Sequence, residues 1–243
     1  MVPYIGYHDA VFPFDRPSGY SEMLNKIGIF TFLITLGLTW FVGHSSATAY
    51  SFLRSNATTV EILTLKVPLL YAAPAVITAT FTRIIRLHDK LSDLFGIRAR
   101  FDIYRILVPL CGSLEIPVDP EFRTKLQTRR GGAMERTFYA YASFEDPKIS
   151  KALVFAAIDV WTWYWILLEG AAILAVADIV LVSLKAYGGA TFACALLVLA
   201  ILLFATHFDV CGRLADAQIE EIVANVERAN ALRTEFTRIC AHT

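Results

Sequence analysis

Charge is scarce in this sequence. Lys, Arg, Asp and Glu supply 18% of its 243 residues and apolar side chains 56%, whereas a soluble domain carries about 25% charged residues. Twenty-two basic residues balance twenty-two acidic ones, so no bulk attraction to nucleic acid is available and no direct nucleic-acid binding is expected. Cysteine is sparse as well. Cys111, Cys194, Cys211 and Cys240 form no CxxC pair and no ligand spacing, which excludes a disulfide framework and a zinc site. A catalytic thiol would need a partner motif, and none is present. Walker, GxSxG, HExxH and Rossmann patterns are also missing, so no catalytic residue, no cofactor and no enzymatic activity is expected.

Long apolar runs are what the chain has instead. The stretch from Lys151 to Lys185 carries two charges between Val160 and Leu184, Glu169 and Asp178. At 1.5 Å per residue, Trp161 to Val182 covers about 33 Å, enough to cross a bilayer core. Trp161, Trp163, Tyr164 and Trp165 crowd one end, as an interfacial aromatic belt does. Glu169 falls near the middle of the span. Its nine-residue separation from Asp178 places the two acids on opposite faces of a helix. A lone helix would turn at least one acid to lipid, so this one needs protein or water on two sides. Either an ion path or a hydrogen-bonded joint between helices satisfies that need.

The remaining runs predict an all-α integral membrane protein with four spans in two hairpins. Residues 1–20, with Pro3, Pro13 and Pro17, read as an extended arm. Residues 21–83 form the first hairpin, with spans at about 24–43 and 62–83 joined by a polar loop that contains an Asn56-Ala57-Thr58 sequon. Pro68 and Pro74 predict bends, and the helical pattern continues past the span to Gly96. Residues 84–158 read as a helical module. FDIYRILVPLCGSL makes a helix ending near Pro109, Gly131-Gly132 separate two more, and Asp146-Pro147 start the next span. The second hairpin covers 159–208, with spans at about 160–184 and 189–208 and a turn at Tyr187-Gly188-Gly189. The tail, 209–243, is an amphipathic helix whose apolar stripe includes Leu214, Ile219, Ile222, Val226, Ala229, Leu232, Phe236 and Ile239.

Basic residues orient this layout. Thirteen of the Lys and Arg residues lie in 83–151, while the two other loops hold Arg54, Lys66 and Lys185. The positive-inside rule then puts the N-terminus, the middle segment and the C-terminus in the cytosol, in a multi-pass protein of a bacterial inner membrane. Arg98, Arg100, Arg105, Arg129 and Arg130 stand near flexible glycines. Such guanidinium groups suit an anionic ligand or an acidic partner surface, although positive-inside bias and lipid contact explain them equally. His88-Asp89 with Asp93 does not fall on one helix face, so no metal site is expected there.

Two hairpins around a cytosolic module of this size make a layout similar to small bacterial membrane effectors of antiviral defence. That resemblance implies an oligomeric channel or pore-forming effector, gated through its cytosolic helices and in contact with membrane lipid and with copies of itself. The alternative expectation is a non-conducting membrane anchor that recruits a soluble cytosolic partner protein.

Overall fold

The computed structural model describes residues 15–241, apart from 56–57 and 63–64. The arm expected over 1–20 lies outside the described residues up to position 14, as do Asn56 and Ala57 of the sequon. The described chain is helical throughout apart from one small hairpin. In order come α1 (Tyr20–Ser45), α2 (Ala47–Ser55), β1 (Thr59–Ile62), β2 (Leu65–Pro68), α3 (Leu69–Ile85), α4 (Leu87–Phe95) and α5 (Ile97–Phe101). A π-helical segment (Asp102–Leu107) runs into α6 (Val108–Ser113). After it come α7 (Pro120–Thr128), α8 (Arg130–Arg136), α9 (Tyr139–Ala142), α10 (Lys151–Ser183), α11 (Tyr187–Val223) and α12 (Val226–Ala241).

Three helices, α1, α10 and α11, are long and apolar enough to cross a membrane. At 1.5 Å per residue they measure about 39, 50 and 55 Å. They pack as a row with α3, in the order α3, α1, α10, α11. The fourth expected span is shorter than its sequence pattern suggests. Thr59–Ile62 and Leu65–Pro68 form an antiparallel pair, with Val60 opposite Val67, and helix begins only at Leu69. Thr59, Val60, Ile62 and Val67 are β-branched and lose side-chain freedom in a helix, and Pro68 has no N–H to give an α-helical ladder. The 17 residues of α3 reach about 25 Å, so the described chain has three long apolar helices and one shorter apolar one.

Other boundaries move for local reasons. The helix expected to continue to Gly96 breaks at Arg86, which takes the left-handed conformation (φ 50°), and α4 then ends on Gly96 (φ 61°) in a C-terminal cap that bonds back to Ser92 and Asp93 carbonyls. Pro109 does not end its helix. The Val108 N–H reaches five residues back to the Ile103 carbonyl, and this wider π turn carries the chain through the proline into α6. Asp146-Pro147 stays in a loop, because Ile149 is buried and the Ser150 N–H donates to Glu221 Oε1 at 2.7 Å, so α10 starts at Lys151.

Glycine positions also differ from expectation. Gly131 and Gly132 lie inside α8; the break falls at Arg129, where the chain turns so that Leu126 on one side and Ala133 and Met134 on the other enter the same core. Gly188 and Gly189 lie in the first turn of α11, and the reversal is made by Lys185 (φ 56°). A Cβ on Gly189 would stand 2.9 Å from Ser45 Cβ, so this glycine permits the close approach of α1 and α11. Gly212 introduces no break: α11 continues from the apolar end through Gly212 to Val223.

The core sits at the polar end of the row. Phe101, Leu107, Leu110, Leu126, Met134, Ile222, Leu232 and Phe236 are almost fully buried there, uniting the middle segment with the end of α11 and with α12. Most of the expected tail stripe is part of it; Val226, at the α11–α12 break, is exposed.

Candidate functional site at the seam of spans and module

Glu169 sits where the row of long helices meets the module, and it is 1% exposed. Oε2 accepts from the Thr31 hydroxyl of α1 at 2.8 Å. Oε1 accepts from the His88 backbone N–H at 3.1 Å and lies 3.2 Å from His88 Nδ1. The break at Arg86 makes this possible. By ending α3 and restarting the chain as α4, it turns the open His88 N–H of the α4 first turn onto the carboxylate. Glu169 thus acts as an N-terminal cap supplied by another helix, and an acid there complements the helix dipole. One side chain ties α1, α4 and α10 together. His88 is itself 3% exposed, and its Nε2 makes no hydrogen bond among the described residues.

A second buried pair lies nearby. Lys26 of α1, 1% exposed, donates to Asp159 Oδ1 at 2.7 Å and to the Asp15 carbonyl at 3.1 Å, and its Nζ stands 4.7 Å above the Trp163 ring. A buried ammonium needs such a full set of partners.

Beside both pairs opens a cavity of about 500 Å³ between α1, α4, α5, α10 and α11. Phe101, Phe138, Trp161 and Trp165 supply much of its apolar wall, and His88, Asp89, Arg98, Asp102, Tyr139, Glu145 and Gln218 its polar groups. The π-helical segment places Asp102 and Ile106 on that wall, in keeping with the frequent use of π turns at functional sites. Burial pushes the Asp102 carboxyl up to about 6, against the pull of Arg130 and Arg98. Arg130 Nη1 lies 3.1 Å from Asp102 Oδ2. Burial likewise pushes the Cys111 thiol of the module core up to about 12, away from thiolate chemistry.

Of the five arginines marked in the sequence, Arg98 and Arg130 meet at Asp102 and the others stand apart from it. Arg98 borders the cavity together with Tyr139. Arg100 and Arg130 border a separate hollow of about 400 Å³ with Tyr104 and Gln127. Arg105 pairs with Asp209 at 3.2 Å and lies over the Phe208 ring. Arg129 stands at the α7–α8 junction. Asp178 lies on α10 nine residues beyond Glu169, half-buried, and its Oδ1 is buried without a hydrogen bond among the described residues.

Sequence reasoning missed His88, Thr31, Lys26 and Asp159 as members of this seam. A signal for Thr31 existed. Thr31, Thr35 and Thr39 recur every four residues along α1; the latter two donate back to the carbonyls one turn earlier, and Thr31 is left for Glu169. His88 carried no such signal, because only the left-handed turn at Arg86 brings it to α10.

A model of the YmfE protein family matches residues 19–237, nearly the whole described chain, and the protein belongs to that family. No curated protein and no solved structure matches it.

Proposed function

We propose that this member of the YmfE protein family is an oligomeric membrane channel or pore-forming effector, controlled through its helical module. The reading rests chiefly on Glu169. Its carboxylate joins two apolar helices to the first turn of α4, so a movement of the module changes what an intramembrane acid touches. Helices α10 and α11 add support, since each runs unbroken from the apolar end into the module and transmits a tilt from one to the other. The basic residues of 83–151 favour a cytosolic module and cytosolic termini in a bacterial inner membrane. Asp178 favours self-association, because a donor from a neighbouring copy would satisfy the bare Oδ1. The likeness of layout to antiviral membrane effectors makes defence the setting in which we expect the activity.

Bilayer recordings of the purified protein, wild type and Glu169→Gln, test this. Glu169→Gln keeps the side-chain shape but replaces one acceptor by a donor facing Thr31 or His88. We expect altered conductance in an assembly of unchanged size, and a smaller change for Asp178→Asn. If both proteins are silent in the presence of an activating partner, the channel reading gives way to a non-conducting anchor that recruits a soluble protein.

A further inference from the structure

The cavity at the seam combines three features that the channel reading does not use. Its wall is aromatic, with Phe101, Phe138, Trp161 and Trp165 among its lining. Its charge is acidic: the carboxylates of Asp89, Asp102 and Glu145 border it, of which Asp102 is paired with Arg130, against the single guanidinium of Arg98 on its lining. Finally, His88 Nε2 is buried at its edge without a hydrogen bond among the described residues. Nδ1 lies 3.2 Å from Glu169 Oε1 and Nε2 stands 3.8 Å from Asp89 Oδ1, so the ring edge facing the cavity is flanked by a carboxylate.

We propose that this cavity is a binding site for a small amphipathic amine, an aryl or alkyl body carrying one protonated nitrogen. The aromatic lining favours a cation, the Asp89 and Glu145 carboxylates balance its charge, and the ammonium seats beside Asp89 at the His88 edge. The volume of about 500 Å³ suits a drug-sized molecule. An anion would meet the carboxylates of Asp89 and Glu145, with Arg98 as the one cationic side chain of the lining. Because the site is built within one protomer, it stands or falls separately from conduction.

The test uses full-length protein in an uncharged maltoside detergent and three probes of one shape: 4-phenylbutylamine, 4-phenylbutanol and 4-phenylbutyrate. Binding is followed by calorimetry and by the fluorescence of the wall tryptophans. The amine is expected to saturate at least about tenfold more tightly than the alcohol, and the acid not to saturate. Asp89→Asn with Glu145→Gln, both at the cavity rim, should bring the amine down to the level of the alcohol. Ala157→Phe, which fills the cavity from α10, should abolish binding of both. Failure of the amine to saturate, equal binding of the acid, or amine affinity unmoved by the double carboxamide variant would each overturn the proposal. The carboxamide variant decides the matter even if Ala157→Phe does not fold.

Discussion

In the helical module, Leu107, Leu110, Leu126, Leu232 and Phe236 are each buried to within 1% in one continuous core. At the far end of the long helices the corresponding cluster is Leu181, Ala190 and Ala193, while Phe192, Val198, Leu202, Val176 and Ile179 face outward. The contrast reflects two solvents. The module meets water and draws its cohesion from apolar burial. The long helices are apolar enough for lipid, and in lipid their association would rest on close packing and on polar joints. Gly189 against Ser45 is the close packing; Glu169 with Thr31 and His88, and Lys26 with Asp159, are the joints.

Several substitutions would break or sharpen that division. The largest effect is expected in the module. Phe236→Ala removes a fully buried ring that meets Phe122 edge to face, and should cost about 4 kcal/mol of module stability while leaving membrane insertion intact. Protease sensitivity of α7 and α12 in membranes against extraction by alkaline wash reads the two parts separately. If the protein also washes out of the membrane, the two regions are not energetically distinct.

Glu169→Ala comes next. It leaves the Thr31 hydroxyl and the His88 backbone N–H without their acceptor, removes the partner of His88 Nδ1 and uncaps α4, at a cost of about 3 kcal/mol. Thermal unfolding in detergent should show the loss, and Glu169→Gln should recover part of it. An unchanged melting curve would remove the seam as a structural joint.

Asp102 sharpens the comparison through pH. Its folded pKa, about 6, exceeds the ordinary 3.8, so between those values the folded state binds a proton that the unfolded state does not. Its contribution to stability therefore grows as pH falls from about 6 towards about 4, opposite to an ordinary ion-paired aspartate. Asp102→Asn should flatten that part of the stability profile, as followed by denaturation across the window. The smallest effect is at the turn: Lys185→Gly relieves a left-handed backbone and should stabilise the α10–α11 connection by up to about 1 kcal/mol.

Long apolar helices were legible because long apolar runs have few other destinations, and three of the four expected spans fall in helices long and apolar enough to cross a membrane. The tail stripe was legible for a related reason, since Ile219, Ile222, Leu232, Phe236 and Ile239 follow helical spacing and are buried. The shortened fourth helix was not, because apolar β-branched residues fit a strand or a span and their context decides.

The seam shows the same limit more sharply. The sequence by itself determined that Glu169 is an acid within an apolar helix and must find a partner, since an unpaired carboxylate in a low-dielectric setting is too costly. Which partner it finds was decided only by tertiary structure. His88 is 81 residues away, Thr31 is 138, and both arrive through one left-handed residue, Arg86, and the packing of α1 on α10. Local periodicity fixes which face of a helix is apolar; it holds no record of which helix will lie against that face, because that choice is made by the packing of the whole chain.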